Sequence, residues 1–354
     1  MADDLAARSR ALHERAIVVN GLVSGAGSMP KAPDYDFRLP AIMRAGGVTA
    51  GNLTASITDD FPTACRNLSY LLAHVEADAA NGTRIARTAD DIRAAKAEGG
   101  AAIVVGFQNS DPFEGSFEKL RILHRLGLRI VQPTYQRRNL AADGRGEPAN
   151  AALSLYGREL VAELNRLGIL IDLSHTGVAS TLETIELSAA PAAITHSCLQ
   201  TFAPVARNAT EEEAKAVAAR GGVFGMNAIA RLVSPRGNAE GATLDQFLDQ
   251  IDHLVDLIGV DHVGLGLDIN EGLTPEIFAE RRKTFLKEFP ELSMGGDFPF
   301  EHYYVFGLTS MASAPKITEG LVRRGYADDD VLKILGGNFL RLFDEVWSVS
   351  SPAG

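Results

Sequence analysis

Histidine, histidine and aspartate stand at the ends of three apolar runs in the second half of the chain. Ile171-Asp172-Leu173-Ser174-His175 and Ile194-Thr195-His196-Ser197 each read as a buried parallel strand that stops at its histidine. His262-Val263-Gly264-Leu265-Gly266-Leu267-Asp268 ends the same way with a carboxylate. Strands that deliver such side chains at their C-terminal ends build a metal-hydrolase site at the mouth of a (β/α)8 barrel. Neutral imidazole suits zinc, so His175 and His196 are the expected metal ligands. Asp268 is the expected catalytic residue, taking a proton from water as a general base. Asp172 lies three residues before His175 and points away from it, which reads as a buried, hydrogen-bonded carboxylate.

The other strand ends, taken in order, are Asn20, Asn52 or Thr54, Gln108 with Asn109, Tyr135 and Asn227. Asn20, Gln108 and Tyr135 are candidates to touch substrate at the mouth. Arg207-Asn208 follows the sixth strand, where a guanidinium can grip a substrate carboxylate with two hydrogen bonds. The same pair reads equally well as a surface arginine at a turn, and Arg137-Arg138 repeats the idea more weakly. Cys198, two residues past His196, reads as a buried inert thiol. Gly336-Gly337-Asn338 lacks the Lys-Ser/Thr of a phosphate-binding loop and has a structural role.

Eight strands must position these residues: 16–19, 48–54, 101–107, 129–135, 168–175, 192–196, 222–227 and 262–268. Between them lie amphipathic helices such as 117–126, 156–167 and 247–258, with apolar residues at helical spacing. Several of these end at a glycine, as at Gly127, Gly168, Gly221 and Gly259. Apolar strands flanked by helices imply a parallel sheet covered on both faces. Eight such units with no break favour one α/β domain, a (β/α)8 TIM barrel spanning residues 1–354. Two segments depart from the plan as candidate lids, at about 20–40 and 270–313. Within the second, 274–288 reads as helix and 289–300 as loop. A last helix is expected over 328–346.

Bulk properties narrow the function. The 354 residues carry a formal charge of −11, and no basic stripe is available for nucleic acid. No run of about 18 apolar residues suggests a membrane span. Two cysteines make no disulfide framework, which fits a cytoplasmic protein.

The order of these strings resembles the renal (membrane) dipeptidase family, metallopeptidases of the amidohydrolase superfamily. The likeness runs from Ala16 to about Phe343 and is most specific at residues 171–175, 194–197, Ala206-Arg207-Asn208-Ala209-Thr210 and 262–268. Arg158-Glu159-Leu160-Val161, Gly336-Gly337-Asn338-Phe339 and Arg341 add to it. The resemblance implies a homodimer that cleaves dipeptides with two zinc ions, often tolerating a D-residue on the C-terminal side. Carried over by position, it makes His175 and His196 ligands of the second metal. It makes Asp268 the aspartate that handles substrate amine and proton, and Arg207 the carboxylate-binding arginine.

The departures are as specific. The family's first strand reads Asp-Gly-His-Asn-Asp, whose histidine and last aspartate bind the first metal. Here that run is Asn20-Gly21-Leu22-Val23-Ser24. The bridging glutamate is Gln108, and a histidine of the fourth strand is Tyr135. A two-metal centre is therefore not expected, and zinc binding is limited to one ion per chain or none. Three readings follow. The first is a dipeptidase-like, metal-dependent hydrolase acting on a small amide with a free carboxylate, its single metal held by His175, His196 and either Asp268 or the Gln108 oxygen. The second is a metal-independent lyase or isomerase on an amino-acid-derived substrate. The third is a non-catalytic binding homologue.

Overall fold

The computed structural model describes residues 2–25, 29–288 and 298–348. Among them, nine parallel strands form one sheet. They are β1 (Val18–Val23), β2 (Val48–Ser56), β3 (Thr83–Ile85), β4 (Ala101–Phe107), β5 (Leu128–Val131), β6 (Leu170–Ile171), β7 (Ala193–Ser197), β8 (Val223–Met226) and β9 (Val263–Leu265). All but β3 follow one another around a ring in chain order. The ring closes because β1 pairs with β9 at Asn20 and Leu265. Between β6 and β7, Asp172 bridges Ala193, and the Leu173 amide donates to the Ala193 carbonyl at 2.8 Å. The fold is the expected eight-stranded barrel. The extra strand, β3, runs beside residues 101–103 of β4, below the point where β5 joins at Val105.

Strand lengths differ from the sequence reading where polar residues meet the ladder. β1 does not stop at Asn20 but runs on to Val23. The Asn20 side-chain oxygen accepts from the amides of Leu22 (3.3 Å) and Leu267 (2.8 Å), so a residue that looked like a strand end stitches β1 to the segment after β9. β6 is shorter than expected, because beyond Ile171 the chain bonds through the Asp172 carboxylate instead of a regular ladder.

The helices outside the barrel begin and end for local reasons. Leu155–Leu167 is capped by the Ser154 hydroxyl, which accepts from the Gly157 amide, and it ends at Gly168 with φ 63°, a left-handed turn that glycine adopts without strain. Leu244–Ile258 starts at a Thr243–Gln246 capping box and buries Phe247, Leu248, Ile251 and Leu254 at helical spacing.

The floor of the barrel is closed by the C-terminal helix. The expected continuous helix over 328–346 is instead three pieces: Asp328–Leu332, a wide turn over Lys333–Gly337, and Asn338–Trp347. A Cβ on Gly336 would lie 2.2 Å from the Ile17 carbonyl oxygen and 2.6 Å from the Val19 amide nitrogen. Only glycine lets the chain press this closely onto β1. The last helix then packs Phe339, Leu342, Phe343, Val346 and Trp347 against Val19, Ala102, Leu170, Ala193 and Val223 of the strands. With that floor sealed, the open end is the one where the strands finish, and the functional residues lie there.

Of the two expected lids, the first starts after β1 and gives way to a helix, Leu39–Ala45. The second carries the helix Pro275–Glu288, close to expectation. The loop expected over 289–300 falls largely outside the described residues. No helix among the described residues is long and apolar enough to cross a membrane.

Candidate active site

A cavity of about 190 Å³ opens at the C-terminal ends of the strands. Gln108, Tyr135, His175, Arg207 and Asp268 line it, so five of the sequence candidates converge there. His196 is fully buried directly behind them: its Nε2 lies 3.1 Å from Nε2 of His175. The Tyr135 ring packs on the His175 ring with centroids 4.3 Å apart.

Asn20 and Asn208 do not line the cavity. Asn20 is buried in the strand ladder described above. Asn208 is fully buried and donates to the carbonyls of Ala203 and Leu232, both at 2.9 Å. It braces the loop that carries Arg207.

His196 is held by a relay. Asp172 accepts from the Thr195 hydroxyl (2.7 Å), and that oxygen lies 2.8 Å from Nδ1 of His196. The hydroxyl's only proton goes to the carboxylate, so the ring Nδ1 must be the donor and Nε2 keeps its lone pair. Asp172 also accepts from the Ser174 amide and hydroxyl and from Gln132, which fixes the turn before His175. Burial, and then the positive charge of Arg207, hold both imidazoles well below the usual histidine pKa, so both are neutral.

Arg207 is 4% exposed, and its terminal N–H groups are spent on the protein. One nitrogen donates to the Ser174 carbonyl at 2.9 Å and faces the Ser197 hydroxyl at 3.4 Å. The other donates to the His196 carbonyl at 2.8 Å and lies 3.2 Å from His175 Nε2. The arginine thus clamps the two histidine segments together.

Asp268 follows β9 with φ 56°, a left-handed conformation uncommon outside glycine. Gln136, also in the cavity wall, has φ 59°. Strain held at two wall residues is characteristic of functional sites. The Asp268 carboxylate accepts from the Asn227 amide at 3.2 Å. Burial raises its pKa to about 6, a rise that Arg207 and Asn227 partly offset. Burial and the neighbouring Asp268 charge push the Tyr135 phenol up, so it stays a neutral donor. Cys198 is fully buried and donates to the Asn227 carbonyl, and burial raises its thiol, as suits an inert residue.

Sequence reasoning missed Ser24, Gln136, Arg231, Asn270, Phe278, Arg281, Arg282 and Tyr303 in the wall. Arg231 lies four residues beyond Asn227, a strand end that was recognised, and following that loop outward would have found it. Phe278, Arg281 and Arg282 lie on the lid helix, whose presence was legible but whose inward face was not.

Comparison with known proteins fits this geometry. The description Membrane dipeptidase (Peptidase family M19) matches residues 7–279 and 290–353, nearly the entire chain. This chain belongs to the membrane dipeptidase family. Dipeptidase verJ of Clonostachys rogersoniana is 29% identical over 268 residues, covering 75% of this chain and 61% of that protein. Dipeptidase tcpJ of Claviceps purpurea is 28% identical over 269 residues, covering 75% and 56%. The chain therefore spans less than two thirds of the length of these curated relatives. A crystal structure described as an amidohydrolase from Pseudomonas aeruginosa shares 30% identity with a TM-score of 0.83, covering 96% of this chain and 99% of its own. A metallo peptidase from Rhodobacter sphaeroides, solved with a phosphinate mimic of L-Ala-D-Ala, has a TM-score of 0.76 at 21% identity and shares the fold.

The donor set of this member of the membrane dipeptidase family does not fit a two-metal centre. Two imidazoles on one tetrahedral zinc at ~2.0–2.1 Å would have their nitrogens roughly 3.3 Å apart, close to the 3.1 Å between His175 and His196. They are two donors only. Among the described residues, no group of three His, Cys, Asp or Glu side chains could hold a metal. Leu22 is buried where a first-metal histidine would stand. Gln108 is a neutral amide that donates to Thr54 at 2.7 Å. His175 Nδ1 is buried without the hydrogen-bond acceptor that ordinarily orients a ligand imidazole. The charge already beside its Nε2 is a guanidinium, which disfavours a dication there.

Proposed function

We propose that the cavity binds a small amide with a free carboxylate, of the dipeptide class, and hydrolyses it with Asp268 as the proton carrier. The observation that carries this reading is Asp268 itself. It is a strained carboxylate with its pKa raised to about 6, in a cavity wall that also holds four guanidiniums. At neutral pH it is ionised yet basic enough to take a proton from water.

Asp268 removes a proton from a water molecule as the water oxygen forms its bond to the amide carbon. The carbonyl oxygen gains negative charge, for which the guanidinium N–H groups and the neutral Tyr135 phenol in the wall are suitable donors. The C–N bond then breaks, and Asp268 returns the proton to the leaving amine. Water is consumed, and one carboxylic acid and one amine are formed. Before reaction, the same carboxylate pairs with the substrate ammonium. His175, His196 and Arg207 form the rigid back wall, and no step is assigned to a metal.

A second reading, a binding protein without turnover, is favoured by one observation: among the described residues, the two imidazoles lack a third donor that would complete a metal site. Two reduced cysteines, Cys65 and Cys198, support the cytoplasmic setting. The homodimer rests on the family resemblance and is tested by light scattering.

The test is a panel of L,L- and L,D-dipeptides, followed by release of free amino acids. Cleavage of at least one dipeptide, retained after purification and absent in a catalytically silenced variant, is the expected result. Binding of dipeptides without any release would reject hydrolysis and leave the second reading.

A further inference from the structure

We propose that this cavity selects an amide bearing two carboxylates, with Arg231 and Arg281 as the receptor for the additional negative charge. This rests on the proposed small-amide reading and names the substrate class within it. Among the described residues, four guanidiniums line the cavity, those of Arg207, Arg231, Arg281 and Arg282, against the single carboxylate of Asp268. That imbalance sits in a chain whose formal charge is −11, so it is a local feature rather than a reflection of composition. A simple dipeptide is a zwitterion. Its ammonium would match Asp268 and its one carboxylate would leave most of this positive wall unanswered.

The four arginines are not equivalent. Arg207 has its terminal N–H groups on two carbonyls, a hydroxyl and an imidazole, and acts as a clamp. Arg282 lies over the Phe298 ring, 5.0 Å from its centroid. Among the described residues Arg231 has no ion-pair partner, and its Nε is enclosed without a hydrogen-bond partner. Arg281 likewise has an enclosed Nη1 without a partner. Both line the same cavity as the Tyr303 side chain, where a bound anion meets positive charge from either side chain. Enclosing a guanidinium without an acceptor costs stability, and proteins retain such an arrangement where a ligand supplies the missing acceptor. Arg231 comes from a short helix, Ala230–Val233, in the connection after β8, and Arg281 from the lid helix Pro275–Glu288. The anion would therefore sit between barrel and lid and tie them together.

The rest of the wall fits an extended diacid. Leu232, Leu273, Ile57 and Phe278 also line the cavity and give it apolar surface suited to a short methylene chain. An acidic residue of a dipeptide presents that combination: a short apolar stem with a carboxylate at its end.

The experiment compares L-Ala-L-Glu with L-Ala-L-Gln, which differ in charge but hardly in shape. Apparent affinity is read as KM where turnover occurs and by calorimetry where it does not. A second pair, glutarate and its half-amide glutaramate, carries the same charge difference without a peptide bond. Wild type should prefer L-Ala-L-Glu by at least about tenfold, and Arg231→Gln and Arg281→Gln should each cut that preference to about threefold or less. Arg231→Gln should also raise the melting temperature of the ligand-free protein, because an unpaired buried charge is removed. A fall would assign Arg231 a structural role and overturn the proposal. Equal affinity for the two dipeptides in wild type would overturn it as well, whether or not they are cleaved. If dipeptides fail to bind but glutarate exceeds glutaramate tenfold, the two-carboxylate inference stands and the dipeptide reading falls. Failure of all four probes to bind overturns the proposal.

Discussion

Asp268→Asn lowers turnover of any dipeptide the protein cleaves by at least about 10²-fold, the usual worth of a positioned general base. The substitution is chosen for its backbone as much as for its chemistry. Residue 268 has φ 56°, and asparagine tolerates the left-handed region better than most residues, so the fold should survive. In wild type, kcat/KM should rise as pH increases through about 6, where Asp268 loses its proton, and that limb should vanish in Asp268→Asn. The stability profile provides an independent readout. The folded protein holds the Asp268 proton more tightly than the unfolded chain, because the pKa is raised from 3.8 to about 6. Its contribution to stability is therefore present in acid and is lost as pH rises through about 6, and Asp268→Asn should remove that slope. Unchanged turnover in a folded Asp268→Asn protein would discard the mechanism.

The largest stability effect is expected at a residue that never touches substrate. Glu213 and Arg145 form a fork-on-fork ion pair, at 2.7 and 3.3 Å, with side chains 0% and 1% exposed. Arg145 also donates to the carbonyls of Ser174 and Asn208, both at 3.1 Å. Glu213 closes a capping box with Thr210 at the start of the helix Glu211–Ala219. The pair thus ties the turn before His175 to the loop that carries Arg207. Glu213→Ala leaves a buried guanidinium unpaired and should cost about 3–5 kcal/mol, seen as a lower denaturant midpoint. Replacing both partners with Arg145→Met and Glu213→Leu should recover much of that loss, because no charge is then stranded. If Glu213→Ala alone leaves the midpoint unchanged, the pair is not what ties the turn before His175 to the loop that carries Arg207.

The barrel was legible because its strands are apolar runs separated by helical periodicity, a pattern that a parallel sheet covered on both faces imposes on any sequence. β4 lies at the expected residues 101–107. β1 was misjudged because Asn20-Gly21 looks like punctuation, and nothing local indicates that the Asn20 side-chain oxygen will accept from the Leu267 amide, 247 residues away. β3 was missed because three residues carry too little periodicity to read. Gln108, Tyr135, His175 and Asp268, the four cavity residues identified from strand ends, were found because a closed barrel brings every strand end to one face. Arg231, Arg281 and Tyr303 belong to loops and a lid, where side-chain direction depends on tertiary packing rather than on a repeat. The clamp formed by Arg207 was also not readable, since it depends on carbonyls of two other segments meeting at one point.

Metal content of protein purified without chelator, measured per chain beside its dipeptide turnover, tests the central claim most directly. That claim is that the barrel keeps the substrate-handling side of a dipeptidase site without the donors for two metals. At most one zinc per chain is predicted, and any such ion should disappear in His175→Ala and His196→Ala. Two fully occupied metals per chain, with turnover that depends on both, would contradict the account.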